Sequence, residues 1–518
     1  MNDFKRKVGA FFGSDGCASA TVTALVICVV MVFNAMLFAA TELFGWGIYY
    51  TTEIDYSISG NTDELFEKAI SEGKKVKISF CMAEDDLKVH STGGEVYTTI
   101  KNFAERYEDD GFIEIDYINV ITRRDKNGNL VNLSKYQTPQ EQQGADASEQ
   151  TKTPIYKTSV IFECGENYRV LTDGTSTGFA YFYNLGSNRN IIAYNGEEVT
   201  AAMISWVLAD EHKMAYITTR HSEQADSAFL NVLTCAGYII GEVDLRASKV
   251  PEDADLLIIS NPKSDFEAAR PGSEIEIYTE IDRLREYAER GGNIFVSLDP
   301  YVKKLTILEN FLKEYGIEFS STENEDAPTT RNIVKDLRDG ITTDGFSFLA
   351  SYANSPLADA ISDRVSKYGN GRVLLKQVSA LELSGDAKPL LLSSPSAQLE
   401  SNGKVVSSSG DYVIAAYSEA AAKDGKTSRV FVIPSIYAAV SDSLTASKYS
   451  NKDFLYALFE NFYGAEGMPY GCKPIFYDSQ ILENLTMGTA GVYTVAAMLI
   501  PVAIAAVGSV VLIRRKNR

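Results

Sequence analysis

Between residues 214 and 300 the chain alternates short β-rich runs with helical ones, and this alternation restricts the fold more than any other feature. Residues 214–219 (MAYITT) read as a strand. Residues 224–236 place Phe229, Leu230, Val232, Leu233 and Ala236 at helical spacing, and Gly237 closes them. Residues 238–245 return to strand character. The apolar run 254–260 (ADLLIIS) is of the kind that fills a parallel sheet covered on both faces. Ser273 with Glu276 predicts a capping box, followed by Ile277, Ile281, Leu284 and Ala288 on one helical face. Gly291 and Gly292 stop that helix ahead of a strand over 293–298. Strands joined by helices of this length require right-handed crossovers, so the expectation is an α/β fold built on a parallel sheet.

The two ends impose a topology. No charge lies between Asp15 and Glu42, and the apolar run 21–40 has the length of one membrane-spanning helix. It is longer than the core of a signal peptide and lacks a small-x-small cleavage site. After Glu483 the next charge is Arg514, and the apolar run 492–513 contains Pro501 and Gly508, which spanning helices tolerate. Lys5, Arg6 and Lys7 at one end, and Arg514, Arg515, Lys516 and Arg518 at the other, put both termini in the cytoplasm. The expected organisation is a basic tail (1–17), a transmembrane helix (18–46), an extracytoplasmic α/β domain (47–195), a second α/β domain (196–480), a transmembrane helix (488–513) and a basic tail (514–518). Such a chain sits in the lipid bilayer of a bacterial cytoplasmic membrane with its body outside.

Within that body a strand over 75–81 and a helix over 95–107, with Val96, Ile100, Phe103 and Tyr107 on one face, precede a strand over 112–120. This small β-α-β unit is thioredoxin-like in outline. Its Cys81 is followed by Met82, Ala83 and Glu84, so dithiol chemistry is not expected. Residues 137–154 read as a flexible loop, and 158–163 with 168–172 as a hairpin. A helix begins at Gly196 with Val199, Met203, Trp206 and Val207 on one face. Beyond Pro300 the pattern predicts a helix over 305–315, a surface break over 322–330 and a serine-rich loop over 393–410. Strands are expected over 372–378, 389–393, 412–417 and 429–433, and a last helix over 453–463.

Parallel sheets present their chemistry at the carboxyl ends of the strands. Here those ends carry Arg220 to Glu223, then Asn261, Pro262 and Lys263, then Asp299 and Pro300. His221, Glu223, Asn261 and Asp299 therefore form the candidate surface site. His90, His212 and His221 make no His-x-x-x-His pattern, so no metal site is expected, and a loop-organising hydrogen bond is the plainer role for His221. The first loop has no glycine and no phosphate-binding loop occurs, so no cofactor is expected. The six cysteines show no close pair and read as small buried hydrophobes, although the four outside the first apolar segment allow three pairings. The net charge of −20 argues against a nucleic-acid partner.

The sheet outline is similar to that of class I glutamine amidotransferases. Cys235 falls inside a helix, however, and Ser297 inside a strand without a Gly-x-Ser-x-Gly frame, so a non-catalytic core with no catalytic residue is expected. Four segments carry a closer resemblance: 196–202 (GEEVTAA), 213–223 (KMAYITTRHSE), 253–262 (DADLLIISNP) and 284–300 (LREYAERGGNIFVSLDP). Together with the final apolar run and its closing Arg514, Arg515 and Lys516, they resemble the GldG family, extracytoplasmic auxiliary components of bacterial ABC transporters. The likeness covers most of the chain from Gly196 onward. That family commonly has a Gly-His-Gly-Glu turn where this chain has Arg220, His221, Ser222 and Glu223. The resemblance implies a non-catalytic, membrane-anchored subunit whose partners are a separate permease and a separate ATPase. Small residues such as Gly488, Gly491, Ala503 and Gly508 would suit helix packing against the permease. The alternative is a membrane-anchored hydrolase or amidase of α/β fold acting on cell-envelope material.

Overall fold

A computed structural model describes residues 56–476 apart from 90, 137–154, 172–181, 186–189, 224, 269–277, 325–326, 370 and 447. The expected transmembrane helices and basic tails, the loop over 137–154 and the proposed cap at Ser273 and Glu276 all lie outside the described residues. Among the described residues no helix is long and apolar enough to cross a membrane.

The first sheet forms around β1 (Val76–Phe80), β2 (Ile113–Tyr117), β3 (Val160–Cys164) and β4 (Asn167–Leu171) in the order β2-β1-β3-β4. β1 and β2 run parallel, joined through the Ser91–Arg106 helix, whereas β3 and β4 are an antiparallel hairpin turned by Gly165 at φ +61°. The helix buries Val96, Ile100 and Phe103, the apolar face its sequence spacing predicts. The Asn61–Ser71 helix ties this sheet to the rest of the body. Its Glu64 accepts from Arg364 at 2.8 Å, from Tyr368 at 2.6 Å and from the Lys367 ammonium. Hydrogen bonds from Lys367, Tyr368 and Arg364 pull the Glu64 carboxyl down to about 2.

β5 (Phe182–Leu185) and β6 (Asn190–Tyr194) pair antiparallel and lead into the Gly196–Leu208 helix. Glycine is required at its first position. A Cβ on Gly196 would sit 2.0 Å from the ring of Tyr194, which is fully buried with its hydroxyl 2.8 Å from Thr99 Oγ1.

The organising stretch becomes β7 (Lys213–Thr218), β8 (Tyr238–Val243), β9 (Ala254–Ser260) and β10 (Asn293–Ser297), all parallel, with the order β8-β7-β9-β10 continued by a parallel strand, Thr427–Ile433. β9 and β10 are buried along most of their length, as their apolar runs require. The sheet does not stay parallel. Strands Val413–Ala421, Lys388–Leu392, Ser347–Tyr352 and Val373–Lys376 extend it antiparallel.

Three expectations are corrected. The helix before β10 is Glu280–Glu289, and residues 278 and 279, expected within it, are not helical. Its capping box is Thr279 with Asp282, whose carboxylate accepts from the Thr279 N–H at 2.9 Å and hydroxyl at 2.6 Å. The surface break over 322–330 contains the paired strands Ser321–Asn324 and Ala327–Arg331. The serine-rich loop over 393–410 is a hairpin of Ala397–Ser401 and Lys404–Gly410, docked through Ala397–Ser401 on the strand Ile333–Lys335.

Candidate functional site

Strand order decides where a site can form. Counted from β7, the parallel strands lie in the order second, first, third, fourth, fifth, so the chain leaves β7 in one direction and returns past it in the other. The carboxyl ends of β7 and β9 are the resulting switch point, the place where open sheets of this topology bind their ligands. The loop after β7 carries Arg220 to Glu223, and the loop after β9 carries Asn261 to Phe266. The two are stitched together by the Lys263 N–H donating to the His221 carbonyl at 2.7 Å.

The β7 loop achieves its tight course by placing Arg220 at φ +82° and Ser222 at φ +62°. Both are conformations that glycine adopts freely and other L-residues resist. Turning the chain there drives the His221 side chain inward, where it is 1 % exposed. Ser222→Gly should therefore raise stability by about 1 kcal/mol, the strain relieved less the extra freedom of the unfolded chain. Urea denaturation of this variant should show a higher midpoint with an unchanged slope, and Ser222→Val a lower one; an unchanged or lower midpoint for Ser222→Gly would show that no strain is stored at the turn.

His221 lies between two partners. Its Nε2 is 2.9 Å from Glu280 Oε1, and its Nδ1 is 3.0 Å from Ser264 Oγ. The ring stacks on Phe266 with centroids 4.3 Å apart and planes 18° from parallel. Glu280 is itself 1 % exposed. Its second oxygen accepts from the Glu267 N–H at 2.7 Å, and Arg246 Nε lies 3.5 Å from the first. Burial pushes the Glu280 carboxyl up, but the bonds from His221 and Glu267 outweigh it and hold the group below its ordinary value. An ionised carboxylate only accepts hydrogen bonds, so in the neutral imidazole the proton belongs on Nε2 and the lone pair on Nδ1. Ser264 then donates its hydroxyl proton to Nδ1. Ser264 is exposed, and it is the member of this relay that faces solvent.

Of the four residues expected to form the site, the structure joins two pairs. His221 and Glu223 meet through backbone: the His221 N–H donates to Glu223 Oε2 at 2.8 Å, while Thr218 Oγ1 donates to Oε1 at 2.9 Å. Burial raises the Glu223 carboxyl despite those bonds. Asn261 and Asp299 meet through Lys263, whose ammonium is 2.9 Å from Asn261 Oδ1 and 2.9 Å from Asp299 Oδ2. The Asp299 carbonyl accepts from Arg331 at 3.3 Å, and Arg331 is buried in an ion pair with Glu309 at 2.6 Å. No direct bond links His221 to Asp299. Ser264 and Glu280 are the residues that sequence reasoning missed. Nothing in Asn-Pro-Lys-Ser-Asp marks a serine, and Glu280 follows Ser264 only after fifteen intervening residues.

Among the described residues no group of three or more His, Cys, Asp or Glu side chains could hold a metal ion. Cys81, Cys164, Cys235 and Cys472 are free thiols. Burial pushes the Cys81 thiol up to about 12, which suits an inert core position.

No family model and no curated protein matches the chain. Solved structures are similar over about half of the chain. The mmIFT52 N-terminal domain is similar with a TM-score of 0.34 and 14% identity, covering 48% of this chain and 96% of that one. A putative ThuA-like protein from Bacteroides uniformis gives 0.29 and 14% over 49% of this chain and 94% of its own. PurLQS from Thermotoga maritima gives 0.27 and 12% over 48% and 98%. Scores of this size say nothing about activity.

Proposed function

We propose that this chain is an extracytoplasmic auxiliary subunit of a bacterial ABC-type transport system, anchored in the lipid bilayer at both ends. Its ATPase and permease are separate polypeptides, and its own body presents a surface to them. The observation that carries this reading is the backbone of the turn after β7. Arg220 and Ser222 hold left-handed φ at the two positions where the GldG-like turn has glycine, with His221 and Glu223 kept in place between and after them. A chain that retains the glycine conformation without the glycines is what divergence from such a turn would leave.

Finer features of the fold fit the same reading. The order β2-β1-β3-β4, with one parallel pair followed by an antiparallel hairpin, supports a thioredoxin-like N-terminal unit. The parallel half of the large sheet supports an amidotransferase-like core in which Cys235 is buried within a helix. The acidic surface leaves nucleic acid out of the set of partners.

Co-purification tests the reading. A tagged full-length chain extracted in mild detergent should retain a multi-span permease and an ATPase in defined ratio. Recovery of the chain free of both, from membranes that contain them, would sink the proposal.

A further inference from the structure

The relay at the switch point has a chemical capacity that the transport reading does not use. We infer that Ser264 is a nucleophile for acyl transfer, with His221 as its base and Glu280 as the residue that positions the base, and that the ligand class is a carboxylic ester. Four observations converge. Ser264 Oγ is within hydrogen-bond reach of His221 Nδ1, and His221 Nε2 is within reach of a buried carboxylate. This is the nucleophile, base and orienter order of acyl-transfer sites with the two imidazole nitrogens exchanged, Nδ1 facing the serine and Nε2 the carboxylate. The ionised Glu280 fixes the tautomer that leaves the basic nitrogen facing the serine. The imidazole and the carboxylate are each 1 % exposed whereas Ser264 is an exposed residue, so of the three it is the serine that solvent reaches. Finally, it stands at the switch point, where open sheets of this topology bind their ligands.

The reaction closes without a co-reactant other than water. Ser264 Oγ bonds to the ester carbonyl carbon as its proton passes to His221 Nδ1. The bond from that carbon to the alcohol oxygen then breaks, and the alcohol leaves with the proton from Nδ1. Water attacks the acyl-serine, giving one proton to Nδ1, and the carboxylic acid departs as Ser264 Oγ recovers that proton. Throughout, the Nε2 proton stays in its bond to Glu280, which stabilises the imidazolium formed in each half.

The test uses full-length protein in detergent and a fluorophosphonate probe, which reports serine nucleophilicity without a known substrate. Peptide mapping should place the adduct on Ser264, with exposed Ser408 and Ser409 of the same chain as internal controls. Ser264→Ala, a change at an exposed position, should remove the adduct and leave the melting temperature unchanged. His221→Gln should lower the labelling rate by about 100-fold, the contribution of a positioned base. Glu280→Gln should lower it and move its pH profile, and Glu280→Asp should restore part of the rate. The proposal is overturned if Ser264 in the wild-type protein reacts no faster than Ser408 and Ser409, a result that needs no variant to fold. It is overturned equally if His221→Gln, melting as wild type, labels at the wild-type rate. Neither result bears on co-purification with a transporter, so the two readings fail separately.

Discussion

Lys452→Ala should lower the unfolding free energy by about 3–5 kcal/mol, the cost of removing one partner from a buried ion pair. Lys452 lies on the Asn451–Asn461 helix with its ammonium 2.9 Å from Glu198 Oε1 and 2.8 Å from the Cys472 carbonyl. Burial pulls the ammonium towards neutrality, but Glu198 and Asp453 outweigh it and hold the group charged. Glu198 is 0 % exposed and also accepts from the Tyr456 hydroxyl at 2.5 Å and from the Asn195 amide. With Lys452 gone, two neutral donors remain against a full buried charge, and water cannot replace the ammonium without opening the contact between the two helices. Chemical denaturation followed by circular dichroism measures the loss. The double variant Glu198→Leu with Lys452→Met should recover most of it, because an apolar pair carries no desolvation cost. A single-variant loss under about 1 kcal/mol, the range of solvent-screened pairs, would mean that the pair is hydrated and that the helices are held by apolar packing alone.

Why some of this was legible and some was not follows from the range over which each feature is determined. β9 and β10 are buried along most of their length, and the helices ahead of β8 and β10 stop at positive-φ glycines, Gly237 and Gly291, so runs of a few residues suffice to place them. The hairpin at 397–410 was hidden by composition. Its strand Ala397–Ser401 alternates buried and half-buried side chains, but Ser408 and Ser409 of its partner are exposed and the serine run reads as loop. The signal that would have found it is Asn402 with Gly403, both at positive φ, the residue pair that a tight hairpin turn demands. The helix Pro356–Tyr368 was likewise passed over, although Ser355 and Pro356 open it and Leu357, Ala358, Ile361 and Val365 form its buried face. At the site, strand ends were predictable because sheet direction alone sets them. The pairing of His221 with Ser264 and Glu280 was not, since it depends on how two loops and a helix start converge across a crossover. Arg220 and Ser222 were hidden for a different reason: positive φ is held there by residues that are not glycine.

Phe295→Ala should cost about 3–5 kcal/mol, the range for truncating a fully buried aromatic ring. Phe295 is 0 % exposed at the centre of β10, with ring centroids 5.3 Å from Phe229, 5.3 Å from Phe431 and 6.4 Å from Phe459. Those partners come from the helix after β7, the neighbouring parallel strand and the Asn451–Asn461 helix, so no single neighbour can move to fill the space without displacing another. The consequence reaches beyond β10. The apolar cluster that contains Phe295 runs without interruption through Val199 and Met203 of the Gly196–Leu208 helix to Phe66, Ile78 and Phe103 around the first sheet. A continuous core transmits the loss, so amides of β1 and β3 should lose hydrogen-exchange protection in the same transition as those of β9 and β10, and by the same free energy. Native-state exchange on Phe295→Ala reads both sets at once. Retained protection in β1 and β3 with loss confined to β9 and β10 would show that the N-terminal sheet is a separate folding unit, and that its contact with the core is an interface between two stable bodies.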